Sequence, residues 1–136
     1  MQIDVDFPGG VRVDAHFGQF MVQTDQTVDD GGEGSAPSPF DLFLASTAAC
    51  AGFYVVSFCR QRGIDASALH LIQRLEVDPA TGHVVKILIE IQLPPDFPPK
   101  YRAAVVRAAE QCTVKKHLEH PPAFEIITSS LEPAAN

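Results

Sequence analysis

A chain of 136 residues with 46% hydrophobic content is long enough for one packed core and short for two. Its 10 Lys and Arg against 17 Asp and Glu leave a formal charge of -7, which repels phosphate backbones and excludes a basic stripe for nucleic acid to follow. Met1-Gln2-Ile3-Asp4-Val5-Asp6 has neither a basic n-region nor an apolar run, so no secretory signal is expected and a reducing cytoplasm is the default compartment.

The first part of the chain reads as β. Ile3, Val5 and Phe7 alternate with polar residues, Pro8-Gly9-Gly10 supplies a turn, and Val11, Val13, Ala15 and Phe17 alternate again before Gly18-Gln19. Phe20 and Val22 continue as a third short strand. Thr27 to Pro39 is rich in Gly, Asp, Ser and Pro, which predicts a solvated, flexible loop over 29–39. Ser38 can then cap a helix, Pro39 suits its first position, and Asp41 adds a negative charge at its positive end. The eighteen residues from Leu42 to Cys59 carry no charge. Such a length could cross the hydrocarbon core of a bilayer. However, Ala45, Ser46, Thr47, Ala48, Ala49, Gly52 and Ser57 are small or hydroxylated, so the expectation is a helix buried on every side within a protein. Arg60-Gln61-Arg62-Gly63 places cations and then a glycine at its carboxyl end.

Beyond Gly63 the apolar period becomes two. Leu69, Leu71, Leu75 and Val77 predict one strand, Asp78-Pro79-Ala80-Thr81-Gly82 a turn, and Val85, Ile87, Ile89, Ile91 and Leu93 a longer antiparallel partner. Pro94, Pro95, Pro98 and Pro99 end the hairpin. Tyr101, Val105, Ala108 and Cys112 then recur at helical spacing and predict a second amphipathic helix. Pro121-Pro122 stops it, Ala123 to Thr128 reads as a last strand, and 130–136 as a polar tail. The order βββ-α-ββ-α-β, with no internal repeat, is an α+β arrangement of segregated hairpins in a single domain of residues 1–136, not the βαβ repeat of a nucleotide-binding fold.

Two segments carry a family resemblance. Ser-Ala-Pro-Ser-Pro-Phe-Asp-Leu-Phe-Leu-Ala-Ser-Thr-Ala-Ala-Cys at 35–50, with Cys-Thr-Val-Lys-Lys-His-Leu at 112–118, resembles the OsmC/Ohr family of thiol-dependent peroxidases, and nearly the whole chain to Thr128 follows the pattern. The resemblance implies an intertwined, obligate homodimer with two long central helices packed together and active sites at the subunit interface. It also implies that Cys50 is the peroxidatic cysteine and Cys112 the resolving one. Organic hydroperoxides would be the substrates and a dithiol the reductant, with no cofactor or metal. The family's activating arginine comes from the amino-terminal strands, where this chain has Arg12. One position departs from the pattern: peroxidase members carry glutamate directly after the proline, and this chain has Phe40, with Asp41 one place later.

The chemistry has its own logic. A thiolate attacks a peroxide oxygen and becomes a sulfenic acid, which a second thiol condenses with to give a disulfide, so two cysteines are the minimum. Burial of Cys50 in an apolar helix would raise its pKa, and a cation would have to offset that cost. Other roles are open for the same residues. Free cysteine packs as a small hydrophobe, and Cys59, nine residues beyond Cys50 and so across the helix, is expected to do only that. His117 and His120 form H-x-x-H, but a metal site usually needs a third ligand. The alternative to a peroxidase is an OsmC-like binding protein that holds a small apolar or thiol-reactive molecule between subunits. A helix apolar all round also predicts an interface above ~2,000 Å² in the dimer.

Overall fold

The computed structural model describes residues 1–131. The amino-terminal alternation forms an antiparallel meander of β1 (Asp4–Gly9), β2 (Arg12–Phe17) and β3 (Phe20–Thr24), with Ala15 opposite both Val5 and Val22. Gly18 turns β2 into β3 at φ +55°, in the left-handed region that glycine enters without a Cβ clash.

The chain then folds around Asp25. This buried carboxylate accepts hydrogen bonds from the backbone N–H groups of Gln26 (2.8 Å), Glu33 (3.2 Å) and Ser35 (3.0 Å) and from the Ser35 hydroxyl (2.6 Å). A short 3-10 turn at Val28–Asp30, capped by Thr27, lies within the same loop. The loop leads into α1 (Pro39–Gln61), whose start is a capping box: Asp41 N–H donates to Ser38 Oγ (3.1 Å) and Ser38 N–H to the Asp41 carboxylate (2.9 Å). Arg62 and Gly63, the latter at φ +65°, end the helix where the sequence places its stop.

Within one chain α1 is not buried on every side. Thr47, Ala51, Val55, Phe58 and Cys59 form a buried stripe at three- and four-residue spacing, while Phe40, Phe53 and Val56 lie open. The reason is supply: the hairpin of β4 (His70–Val77) and β5 (Val84–Gln92), with the later helices, covers one side of α1 only. The core gathers Val55, Phe58 and Cys59 with Phe97 and Val105, backed by Leu71, Ile91, Leu93 and Tyr101. None of the residues gathered there comes from the amino-terminal meander, and Phe7, Phe20 and Met21 of that sheet are exposed.

Two further expectations are corrected. Residues 101–112 do not make one helix. The chain forms a 3-10 turn at Pro99–Tyr101, then α2 (Arg102–Ala109), then a break, then α3 (Thr113–Glu119). Cys112 lies in the break with extended ψ of 120° and caps α3 with its sulfur, and the β-branched pair Thr113-Val114 that follows favours such a restart over an uninterrupted helix. Ala123 to Thr128 is also not a strand. It pairs with no strand of this chain, and Phe124 and Ile126 are 89% and 93% exposed. The free edges of the two sheets, at β1, β3, β4 and β5, are left unpaired by this segment among the described residues. The tail expected over 130–136 lies outside the described residues from 132 onward.

The Asp25 cluster yields a pH signature. Its pKa is lowered to about 2, first by the Ser35 hydroxyl and N–H and then by the N–H groups of Gln26 and Glu33, against the opposing effect of burial. Because the folded pKa is depressed, the stabilisation is complete above the ordinary carboxylate value of 3.8 and is lost as pH falls toward 2. Asp25→Asn is expected to lower the melting temperature at pH 7, with the gap to wild type closing as pH drops through that window. A gap that stays constant with pH would contradict this.

Candidate active site

The site is built where the middle of α1 meets the start of α3. Cys50, partly exposed, projects from α1, and Cys112, buried, stands between α2 and α3; both are free thiols, as is Cys59. In its extended conformation Cys112 turns its sulfur back over the helix it starts. Lys115 N–H donates to Cys112 Sγ at 3.4 Å, so the sulfur does the work an oxygen does in an ordinary helix cap. The single S–H proton of Cys112 has two acceptors within reach, the Thr47 carbonyl at 4.0 Å and the sulfur of Cys50.

The two thiols are therefore inequivalent. Burial pushes the Cys50 thiol up. The Val114 N–H, the Cys112 thiol and the Thr113 N–H pull it down by more, and the net pKa is below the ordinary thiol value. Burial pushes the Cys112 thiol up as well. The Lys115 and Val114 N–H groups favour its thiolate, but its proton already serves Cys50 and a thiolate there would repel it, so Cys112 ends above the ordinary value. The arrangement favours one thiolate, on Cys50, with a neutral donor beside it. Cys59 is fully buried in the core; burial raises its pKa against the Arg62 charge, in keeping with a packing role.

The cation expected at Cys50 is absent from the groups that set its pKa in the single chain. Arg12 opens β2 and lines a small cavity of about 220 Å³ with Asp25, Gly31, Gly32 and Glu33. Backbone amides stand where the sequence called for a side-chain charge. Phe40, in the place of the family glutamate, is exposed and stacks on Phe43, with ring centroids 5.5 Å apart. Asp41 cannot substitute for that acid, because its carboxylate is held by the Ser38 hydroxyl (2.8 Å) and N–H (2.9 Å), which lower its pKa.

Beside Cys112 runs a groove of about 480 Å³, walled by Ile87, Ile89 and Ile91 of β5, Val106 of α2 and Leu118 of α3, with Cys112 in its lining. Its α1 wall is set by a polar tie hidden among apolar residues. The Thr47 hydroxyl lies between the Leu44 carbonyl (2.7 Å) and Gln73 Oε1 (2.6 Å), while Gln73 Nε2 donates to that carbonyl (2.9 Å). Gln73 faces inward in β4, opposite Ile89, and its place in an apolar alternation was the available sequence signal. Tyr54, one turn beyond Cys50, hydrogen-bonds the Thr113 hydroxyl at 2.8 Å. The amides of Thr113 and Val114 left no signal, since they become donors only through the helix break. His117 Nδ1 faces the Thr113 carbonyl at 2.7 Å, and among the described residues no three metal-ligating side chains cluster.

The sequence model of the OsmC-like protein family matches residues 32–127, and the chain belongs to that family. No curated protein sequence matches it. Among solved structures it is similar to a putative osmotic stress induced and detoxification response protein from Psychrobacter arcticus 273-4, with 25% identity, TM-score 0.72, and 85% of this chain and 86% of that one covered. It is also similar to an organic hydroperoxide resistance protein OsmC from Legionella pneumophila (21% identity, TM-score 0.52, 87% and 89% covered). A third similar structure is a putative organic hydroperoxide resistance protein from Vibrio cholerae with captopril bound in one of its active sites (16%, TM-score 0.55, 89% and 86%). The fold is thus the OsmC-like α+β fold. Its helix α1 is long and apolar enough to cross a membrane by length and composition, and it is the central helix of that fold.

Thiol inequivalence is directly measurable. Limited alkylation of the reduced protein at neutral pH, read by peptide mass mapping, is expected to label Cys50 first, with Cys112 slower and Cys59 protected until unfolding. Equal labelling of Cys50 and Cys112 would contradict the assignment.

Proposed function

We propose that this OsmC-like protein reduces organic hydroperoxides with Cys50 as the attacking thiolate and Cys112 as the resolving thiol. The observation that carries the reading is two free thiols on facing elements, with Cys112 Sγ capping α3, in surroundings that lower the pKa of Cys50 and raise that of Cys112. The Cys50 thiolate attacks the terminal peroxide oxygen. An S–O bond forms, the O–O bond breaks, and the leaving alkoxide takes up a proton to depart as an alcohol. Cys112 then attacks the sulfur of the Cys50 sulfenic acid, an S–S bond forms, and the hydroxyl leaves as water with the thiol proton. A dithiol supplies the two electrons that restore both thiols and is itself oxidised to a disulfide. The apolar groove beside Cys112 suits the organic part of such a substrate.

The working unit in this reading is a homodimer acting in the cytoplasm. Its support is the open apolar face of α1 at Phe53 and Val56, the exposed sheet residues Phe7 and Phe20, and the unpaired segment with Phe124 and Ile126. Apolar surface on that scale on one small chain marks a surface that another chain covers. Arg12 would then reach a thiol site only across the interface, because in its own chain it lies in the Asp25 cavity. The binding-protein alternative draws on Phe40, which leaves no acid to orient an arginine.

Peroxide consumption with a dithiol separates the two readings. Cys50→Ser is expected to abolish turnover, and Cys112→Ser to allow one rapid oxidation per subunit and then stall. Phe40→Glu is expected to raise the rate. Wild-type protein whose Cys50 and Cys112 survive organic hydroperoxide unchanged would remove the peroxidase reading. For assembly, light scattering at micromolar concentration is expected to give twice the 14.7 kDa chain mass; a stable folded monomer would contradict the dimer.

A further inference from the structure

The amides that favour the Cys50 thiolate belong to a short element with little to hold it. α3 has seven residues, none of them fully buried and only Val114 of its first turn half-buried, so apolar packing gives that turn little hold on α1. Two contacts hold it. One is the buried Cys112 sulfur at its cap. The other is the hydrogen bond, 2.8 Å long, between the Tyr54 hydroxyl and Thr113 Oγ1. Tyr54 lies four residues beyond Cys50, hence on the same face of α1 and one turn along. Its ring moves about only two torsions, so the hydroxyl is a stiff reach from α1 to α3. The N–H groups of Val114 and of Thr113 itself are among the groups that lower the pKa of Cys50.

We propose that Tyr54 is a positioning residue of the thiol site: through Thr113 it holds the first turn of α3 so that the Thr113 and Val114 amides face the Cys50 sulfur. The proposal rests on the thiolate reading above and extends it to a residue outside the cysteine pair. Tyr54 donates nothing to the substrate. It sets where two donors stand, and its loss shows in the acidity of Cys50 before it shows in the fold. Because the hydroxyls bond each other, removing either should have the effect of removing both.

The test is the pH profile of Cys50 alkylation by iodoacetamide, resolved by mass mapping, in the reduced full-length protein and in Tyr54→Phe, Thr113→Val, their double variant and Thr113→Ser. Tyr54→Phe is expected to move the profile to higher pH and slow alkylation at neutral pH by roughly three- to ten-fold, the equivalent of one hydrogen bond, while the high-pH plateau stays put. Thr113→Val should match it, the double variant should add nothing further, and Thr113→Ser, which keeps the hydroxyl, should behave as wild type. A low wild-type midpoint that Tyr54→Phe leaves in place would overturn the positioning role alone. A wild-type midpoint at the ordinary thiol value would overturn the thiolate reading and this proposal together. A Tyr54→Phe plateau that falls along with the melting temperature, at an unshifted midpoint, would mean a structural role and also overturn it.

Discussion

The sulfur of Cys112 accepting the Lys115 N–H is the contact on which the site depends. It requires Cys112 to leave the helical conformation, which splits α2 from α3 and frees the amides of Thr113 and Val114 from any partner within a continuous helix. Those amides are then among the groups that lower the pKa of Cys50 on α1. A single helix through Cys112 would have satisfied the same amides internally and left Cys50 without those donors. The break thus links local backbone geometry to nucleophile chemistry. The two thiols also act on each other: burial first, and then the hydrogen bond to Cys50 and its charge, raise the pKa of Cys112.

The rest of the architecture divides into covered and uncovered faces. Thr47, Gln73 and the Leu44 carbonyl lock the hairpin to the buried side of α1, and Val55, Phe58 and Val105 pack below them. The opposite side of α1, the outer residues of the meander and the segment from Ala123 have no such cover in one chain. The proposed homodimer would supply it; Asp14 Oδ1 is a buried acceptor with no partner among the described residues.

Much of this was legible in the sequence, for local reasons. The α1 start and stop follow from Ser38, Pro39, Asp41 and Gly63, whose effects are confined to one turn, and the meander and the β4–β5 hairpin follow from period-two alternation broken by glycine turns. The pairing of Cys50 with Cys112 came from the family resemblance and not from spacing. What periodicity could not give was the α2–α3 break, because Cys112 at helical spacing from Val105 and Ala108 looks the same whether the sulfur packs or caps. The cation assigned to Arg12 rested on chemistry that side chains can supply; main-chain donors have no letter in a sequence. The last strand differs for another reason, since Ala123 to Thr128 has strand composition but docks on none of the open sheet edges among the described residues.

Thiolate absorbance near the far ultraviolet, followed against pH in the reduced protein and in Cys50→Ser, bears most directly on the central claim that the helix break makes one thiol acidic. One thiolate per chain is expected to appear below the ordinary thiol pKa and to be missing from Cys50→Ser, with the other two thiols titrating above it. Three thiols ionising together at or above the ordinary value, in wild type and variant alike, would contradict it.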